Sequence, residues 1–353
     1  MTSGLPWLTP APPRATIPAM KTTRFLLAAC GAAILCGCGQ DVGWVIKPVP
    51  LDETLRETVI AADPGLFVSD KIAVLDVDGL LMNRRATGWM MPGENPVSLF
   101  VEKLDRAESD PNVRAVVVRI NSPGGAVTAS DVMYRRLVRF RAARPGVPVV
   151  AVIEDVGASG GYYVACGADT ILAHPTSVTG SIGVIVQTVS FAGTMRMIGI
   201  DAKAVTSGAR KDMASPLKPL DEKDLAILQG IVDQYYRRFL QVVESARPNL
   251  KPDQVRALAD GRVYTGEQAK DNGLVDGLGY VDDAVLMAKK RSARARVKLV
   301  MYHRPLGYRA NVYSAAPNLA PQVNLLNIDL PGVLSLAQPE FLYLWTGRAT
   351  GSP

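Results

Sequence analysis

The stretch VRAVVVRINSPGG, residues 113–125, decides the fold. Val113 to Ile120 is rich in β-branched residues and reads as a strand. It runs into Asn121-Ser-Pro-Gly-Gly125, where Pro123 fixes the backbone and Gly124-Gly125 let it turn sharply with N–H groups exposed. Helical spacing then predicts a helix from about Ser130 to Ala143, and Val147 to Ile153 is the next strand. The same alternation extends both ways. Ile72 to Asp78 reads as a buried strand, and Val97, Phe100, Val101 and Leu104 mark a helix over 97–107. Downstream, 157–165 is a Gly-rich turn, and 170–173 and 182–189 are strands. Leu220 to Ala246 is a long amphipathic helix whose first turn holds Asp221, Glu222 and Asp224, and 252–259 and 265–272 are shorter helices. Strands alternating with helices predict an α/β fold with mostly parallel sheets flanked by helices, as one core domain over 71–295. The apolar stretch 177–200 is interrupted by Gly180, Ser181, Gly183, Gln187, Ser190, Gly193 and Arg196, so it does not read as a membrane span.

Composition narrows the function classes. Of 353 residues, 48% are hydrophobic and 20% charged, which excludes global disorder. The net charge is +6, but residues 1–37 hold Arg14, Lys21 and Arg24 and no acid. Without them, 36 basic residues face 33 acidic ones, a net of +3, and nothing calls for nucleic acid. Three of the four cysteines (Cys30, Cys36 and Cys38) crowd near the N-terminus and only Cys166 lies in the body, so a disulfide scaffold and a four-cysteine zinc site are both excluded. No cofactor is called for.

The N-terminus reads as an address. Lys21 and Arg24 precede a 12-residue apolar run, Phe25 to Cys36. That is too short for a span of about 20 residues and fits a secretory signal. Met20 looks like the start. Leu35-Cys-Gly-Cys38 resembles a bacterial lipobox, with Cys38 as the lipidated first residue; Gly39 after it points to the outer membrane rather than the inner. The expected organisation is a signal over 1–37, a tether over 39–70, the core over 71–295 and a Pro-punctuated apolar tail over 296–353. The tail ends in Phe341-Leu-Tyr-Leu-Trp345, too apolar to hang free, so it is expected to pack on the core or on a neighbouring subunit.

The chemistry-bearing residues lie in two glycine-rich turns. The 121–125 turn can donate backbone N–H groups to a developing oxyanion. In the second, Ser159 stands between Ala158 and Gly160-Gly161 at a strand-to-helix junction, and Gly157-Ala-Ser-Gly-Gly161 fits a Gly-x-Ser-x-Gly nucleophile elbow. An esterase of that kind needs a histidine after the serine, and only His174 and His303 exist. The other candidate base is Lys211, in Ser207-Gly-Ala-Arg-Lys-Asp212. A neutral lysine can take a serine proton if its pKa falls from about 10.4, which burial and a nearby cation such as Arg210 or Lys218 can bring about. Trp89-Met90-Met91 fits either an apolar wall at the entrance or ordinary core contact.

Five segments in order resemble the SppA-like signal peptide peptidases. They are Arg119-Ile-Asn-Ser-Pro-Gly-Gly125, Ala158-Ser-Gly-Gly-Tyr-Tyr-Val-Ala165, Thr179-Gly-Ser-Ile-Gly-Val184, Ser207-Gly-Ala-Arg-Lys-Asp212, and Asp260-Gly-Arg-Val-Tyr-Thr-Gly266 with Gly273-Leu-Val-Asp-Gly-Leu-Gly279. The resemblance covers about residues 70–290. It implies a ClpP/crotonase-like fold and a serine endopeptidase with a Ser–Lys dyad, in a single-core member about half the length of the tandem ones. By it, Ser159 is the nucleophile, Lys211 the general base and Ser181 the hydroxyl that orients the lysine. Gly125 and Gly160 would supply the oxyanion hole. It further implies hydrophobic peptide substrates such as released signal peptides, and a homo-oligomeric ring or dome. The rival functions are an acyl-CoA-handling crotonase, a catalytically idle scaffold on the same fold, and an α/β-hydrolase-type esterase using His303 or His174.

Overall fold

The structure is a computed structural model and describes residues 54–84, 94–304 and 341–345. The signal, Cys38 and Trp89-Met90-Met91 lie outside the described residues. Eleven strands are present among those described: β1 (Arg56–Ala62), β2 (Lys71–Leu81), β3 (Val113–Ala126), β4 (Val149–Ala158), β5 (Thr170–Ala173), β6 (Val178–Gly180), β7 (Ile185–Val186), β8 (Val263–Thr265), β9 (Gly277–Leu278), β10 (Lys298–His303) and β11 (Phe341–Leu344). The helices are α1 (Pro96–Ser109), α2 (Val127–Ala143), α3 (Gly160–Ala165), α4 (Ala192–Met197), α5 (Glu222–Ala246), α6 (Pro252–Leu258), α7 (Gly266–Asp271) and α8 (Val281–Arg291).

The main sheet runs β1-β10-β2-β3-β4-β5-β9. From β10 to β9 every neighbouring pair is parallel; β1 closes the edge antiparallel to β10. Both faces of this sheet are covered, which is why its strands read as unbroken apolar runs. Ala73, Leu75, Val116, Val118, Ala151 and Ile153 enter one core with Phe100, Leu137, Phe140 and Phe239 from α1, α2 and α5. Their neighbours Ile72, Val74, Ala115, Val117, Val150 and Val152 enter a second core with Val281, Ala284 and Ala288 of α8. The helices begin where their residues cap well. Asn95 accepts from the Val97 and Ser98 N–H groups ahead of Pro96, and Asp221 accepts from Asp224 N–H at the start of α5.

The strand ends carry the site. Beyond Ile120, β3 shifts register and bends, and its last residues pair with Leu80 and Leu81 of β2 on one side and with β11 on the other. The far end of β4 likewise leaves β5 and pairs with β6, Ala158 lying opposite Gly180. β8 continues this second layer antiparallel to β6.

Several expectations change. The tether over 39–70 contains β1, whose period the short run RETVIAA hid; it forms because β10 offers it an open edge. The core does not stop at 295. β10 lies between β1 and β2, so the chain after α8 returns into the sheet. The strand over 182–189 shrinks to Ile185–Val186, because only that much finds a partner, in β11. The long helix starts at Glu222 and not at Leu220, since the Asp221 cap sets its beginning. The described end of the tail, 341–345, packs on the core as expected.

Candidate active site

The turn after β3 is held from within. Ser122 Oγ donates to Gly79 O at 2.6 Å and accepts from Gly124 N–H at 3.1 Å. This leaves Gly124 at φ +101°, a conformation open only to glycine. A Cβ there would stand 2.6 Å from Gly160 N, so the two glycine-rich turns meet directly. One on Gly125 would strike the Leu81 backbone at 2.1 Å.

Ser159 lies between β4 and α3 at φ 53°, ψ −115°. A non-glycine residue there is strained, and the strain is kept because its backbone is fixed at both ends. Its N–H donates to Gly180 O at 2.7 Å and its carbonyl accepts from Tyr163 N–H at 2.9 Å. The residue is 1% exposed, and its Oγ makes no hydrogen bond among the described residues. A buried hydroxyl at the tip of a strained strand-to-helix turn, with no structural bond to satisfy, is what a nucleophile needs. Ser181 is brought beside it. The β4–β6 pairing bonds Ser159 N–H to the residue just before Ser181, which is itself at φ 49° and anchored by donating to Arg262 O at 2.8 Å.

Lys211 is exposed, and its ammonium makes no hydrogen bond or ion pair with any described residue, Ser159 and Ser181 included. Its segment is nonetheless anchored. Arg210 bonds both Asp221 and Asp224, and Lys218 bonds Asp212 and lies 3.4 Å from the fully buried Asp224 carboxylate. Phe191 N–H donates to Pro216 O at 2.7 Å. Both cations of this segment, Arg210 and Lys218, are thus held in ion pairs. The Asp224 bond raises the Arg210 pKa, and the Asp212 bond raises that of Lys218.

Neither histidine serves Ser159. His303 Nε2 is 2.6 Å from Thr58 Oγ1 on β1 and its Nδ1 faces Arg304 O, so both ring nitrogens are engaged beside the β1 edge of the sheet. His174 lies against Tyr280 with centroids 4.6 Å apart and the rings tilted by 39°, and burial pushes its pKa down. Cys166, at the end of α3, is buried and its thiol is pushed up to about 12, so it is inert at neutral pH. The charged residue of the 119–125 motif is structural. Arg119 donates from Nε to Asp76 at 2.8 Å and ties β3 to β2 inside the core.

Sequence reasoning missed Tyr343. It is fully buried on β11, alongside the Gly124–Ala126 turn, with its ring stacked on Tyr163 at 5.1 Å. The alternation in Phe341-Leu-Tyr-Leu-Trp345 signals a strand, but nothing local says where it docks.

Residues 141–295 match the family described as peptidase family S49. A signal peptide peptidase SppA of Enterococcus faecium is 33% identical over 232 residues, 66% of this chain and 67% of that protein. Protease 4 of Salmonella typhi is 38% identical over 217 residues, 62% of this chain but only 34% of that protein. Among solved structures, a ClpP1 mutant from Listeria monocytogenes is similar at 17% identity and a TM-score of 0.40, over 60% of this chain and 94% of that one.

Proposed function

Because this chain belongs to peptidase family S49, we propose that it is a serine endopeptidase that cleaves hydrophobic peptides, released signal peptides among them, with Ser159 as nucleophile and Lys211 as general base. The observation that carries this reading is Ser159 itself: strained, buried, with no described residue hydrogen-bonded to its Oγ, and next to Gly160 at the Gly124–Gly160 contact.

The unprotonated Lys211 amine takes the proton from Ser159 Oγ, which attacks a peptide carbonyl carbon. The Gly125 and Gly160 N–H groups receive the oxyanion. The lysine returns its proton to the leaving amine, then activates the water that releases the acyl group. Ser181, next to Ser159 through the β4–β6 pairing, orients the amine.

Lys211 has to reach this centre, and an assembly supports that step. The segment around it exposes Met197, Ile198, Ile200, Val205, Leu217 and Leu225. Exposed apolar side chains in this number are what a neighbouring copy can cover, and covering this segment would bury Lys211. The chain is thus read as a homo-oligomer. We place it in the bacterial cell envelope, held at the periplasmic face of the outer membrane by a lipid on Cys38. No helix of the described residues is long and apolar enough to cross a membrane. Loss of labelled fatty-acid incorporation in Cys38→Ser tests the anchor.

The central test compares the wild type with Ser159→Ala and Lys211→Ala on signal-peptide substrates, with a fluorophosphonate probe for the serine. Both variants should lose at least a hundredfold in turnover. Full activity in Ser159→Ala sinks the nucleophile assignment, and full activity in Lys211→Ala sinks the base. No turnover in a folded wild-type assembly favours the idle scaffold.

A further inference from the structure

The glycine-rich turns stand at the C-terminal ends of β3 and β4. The opposite edge of the sheet, where β10, β2, β3, β4 and β5 begin, has a different character. The chain enters it through Lys289-Lys-Arg-Ser-Ala-Arg-Ala-Arg-Val-Lys298, six cations in ten residues with no acid.

The acids that flank these strand starts are already taken. Asp63 pairs with Lys289, Asp70 with Arg114 and Arg294, Asp110 with Lys71, and Asp169 with Arg141. Lys290, Arg291 and Arg296 are exposed, and none has an acidic partner among the described residues. Arg144, ahead of β4, is left over in the same way: its guanidinium donates to the Glu108, Asp110 and Val113 carbonyls and to no carboxylate. Arg141, Arg144 and Arg291 line one cavity of about 230 Å³, in which Asp169 is the only acid among the described residues. The edge therefore holds a surplus of fixed positive charge.

Apolar side chains stand beside these cations. β1 and β2 are joined by the turn Asp63-Pro-Gly-Leu-Phe-Val-Ser-Asp70. Both feet of the turn are bonded to the basic segment. Asp63 N–H donates to Val297 O at 3.1 Å, and Asp70 O accepts from Lys298 N–H at 2.8 Å. At the tip, Leu66 is 86% and Phe67 97% exposed. The Arg296 guanidinium lies over Gly65, so close that a Cβ there would strike it. Folding thus leaves two large apolar side chains in water, on a turn rooted in cations.

An apolar tip among cations without counter-charge complements the anionic headgroup layer of a bilayer. Cations meet the phosphates there, and the tip passes between them to the acyl boundary. A nucleic acid would match the cations but would give Leu66 and Phe67 nothing to enter.

We propose that this edge of the sheet is a docking face for anionic phospholipid membranes, with Leu66 and Phe67 inserted and Arg144, Lys290, Arg291 and Arg296 on the headgroup phosphates. The face adds to a lipid on Cys38 and does not require one. It also sets an orientation. β4 spans 10 residues between this edge and Ser159, so docking holds the serine about 30 Å from the headgroups, on the side of peptides already released from the bilayer.

The test uses the full chain with Cys30→Ser, Cys36→Ser, Cys38→Ser and Phe67→Cys, the last carrying an environment-sensitive dye. Cys166 is buried and stays unlabelled. Vesicles of phosphatidylcholine with phosphatidylglycerol should shift the dye emission to the blue, and molar salt should weaken the response. Phosphatidylcholine alone should need at least tenfold more lipid. Adding Lys290→Glu with Arg296→Glu, both at exposed positions, should also raise the lipid needed at least tenfold; Lys290→Gln with Arg296→Gln carries the test if the charge reversal does not fold. No blue shift on the anionic vesicles, or an equal response with and without the charge reversal, overturns the proposal. A dye response to a DNA duplex and not to the vesicles assigns the cations to nucleic acid and overturns it as well. Because this chain carries no lipid, failure of the Cys38 anchor would leave the result untouched.

Discussion

Replacing Gly124 by alanine perturbs the contact on which the whole site rests. The new methyl group meets two separate costs. At φ +101° an L-residue is strained by about 1–2 kcal/mol. The Cβ would also stand 1.9 Å from Tyr343 O and 2.6 Å from Gly160 N, both backbone atoms that cannot swing aside. Relieving that overlap moves β11 or the start of α3, at a further cost of about 1–2 kcal/mol, in the usual range for overpacking. The total of roughly 2–4 kcal/mol lowers the melting temperature by about 5–15 °C for a core of this size. Gly146→Ala is the control. Gly146 has φ +86° and open space around its missing Cβ, so it carries the strain without the collision and should cost only about 1–2 kcal/mol. The chemistry offers a second readout. Displacing the Gly160 N–H should slow turnover about 10²–10³-fold, the cost of one oxyanion donor, whereas Gly146→Ala should leave turnover unchanged. Thermal melts and peptide turnover on the three chains settle it. Melting and turnover in Gly124→Ala that match those of Gly146→Ala would refute the claim that the two turns touch at this point.

Two further outcomes follow from the charged groups. His174 has its pKa lowered, first by burial, while Asp155 opposes the shift. The unfolded chain therefore binds a proton at higher pH than the folded one. Stability from the neutral imidazole is complete above about pH 6.5 and is lost as pH falls through the lower folded value. His174→Phe keeps a ring against Tyr280 and should flatten the fall in melting temperature between pH 7 and 5; an unchanged slope would show that the histidine is not its source. Asp224 is a fully buried carboxylate that Arg210 and Lys218 share. Asp224→Asn should release the segment carrying Lys211, seen as faster amide exchange over 208–218 with the sheet unaffected, and exchange as slow as wild type would mean the clamp lies elsewhere.

Much of the fold was legible because its signals are local. The buried faces of β2, β3 and β4 each draw on apolar residues next to one another in sequence, and Gly and Pro mark where the strands stop. Ser159 stood out for the same reason, as a serine between a strand and a pair of glycines. β1 and β10 escaped notice because a short edge strand carries weak periodicity and takes its shape from the neighbour it pairs with. Lys211 is legible as a residue type in a motif, yet its place depends on how the 187–221 segment is carried, which no local pattern contains.

The sequence by itself determined the α/β class, the two glycine turns and the serine between them, since these follow from backbone preference and burial over a few residues. Only the tertiary structure decided that the turns meet at Gly124 and Gly160, that Ser181 stands beside Ser159, and that the far C-terminal strand pairs with Gly124–Ala126 and stacks Tyr343 on Tyr163. Those facts depend on contacts between residues up to about 220 positions apart, and register and docking at that range are set by the packing of the whole sheet.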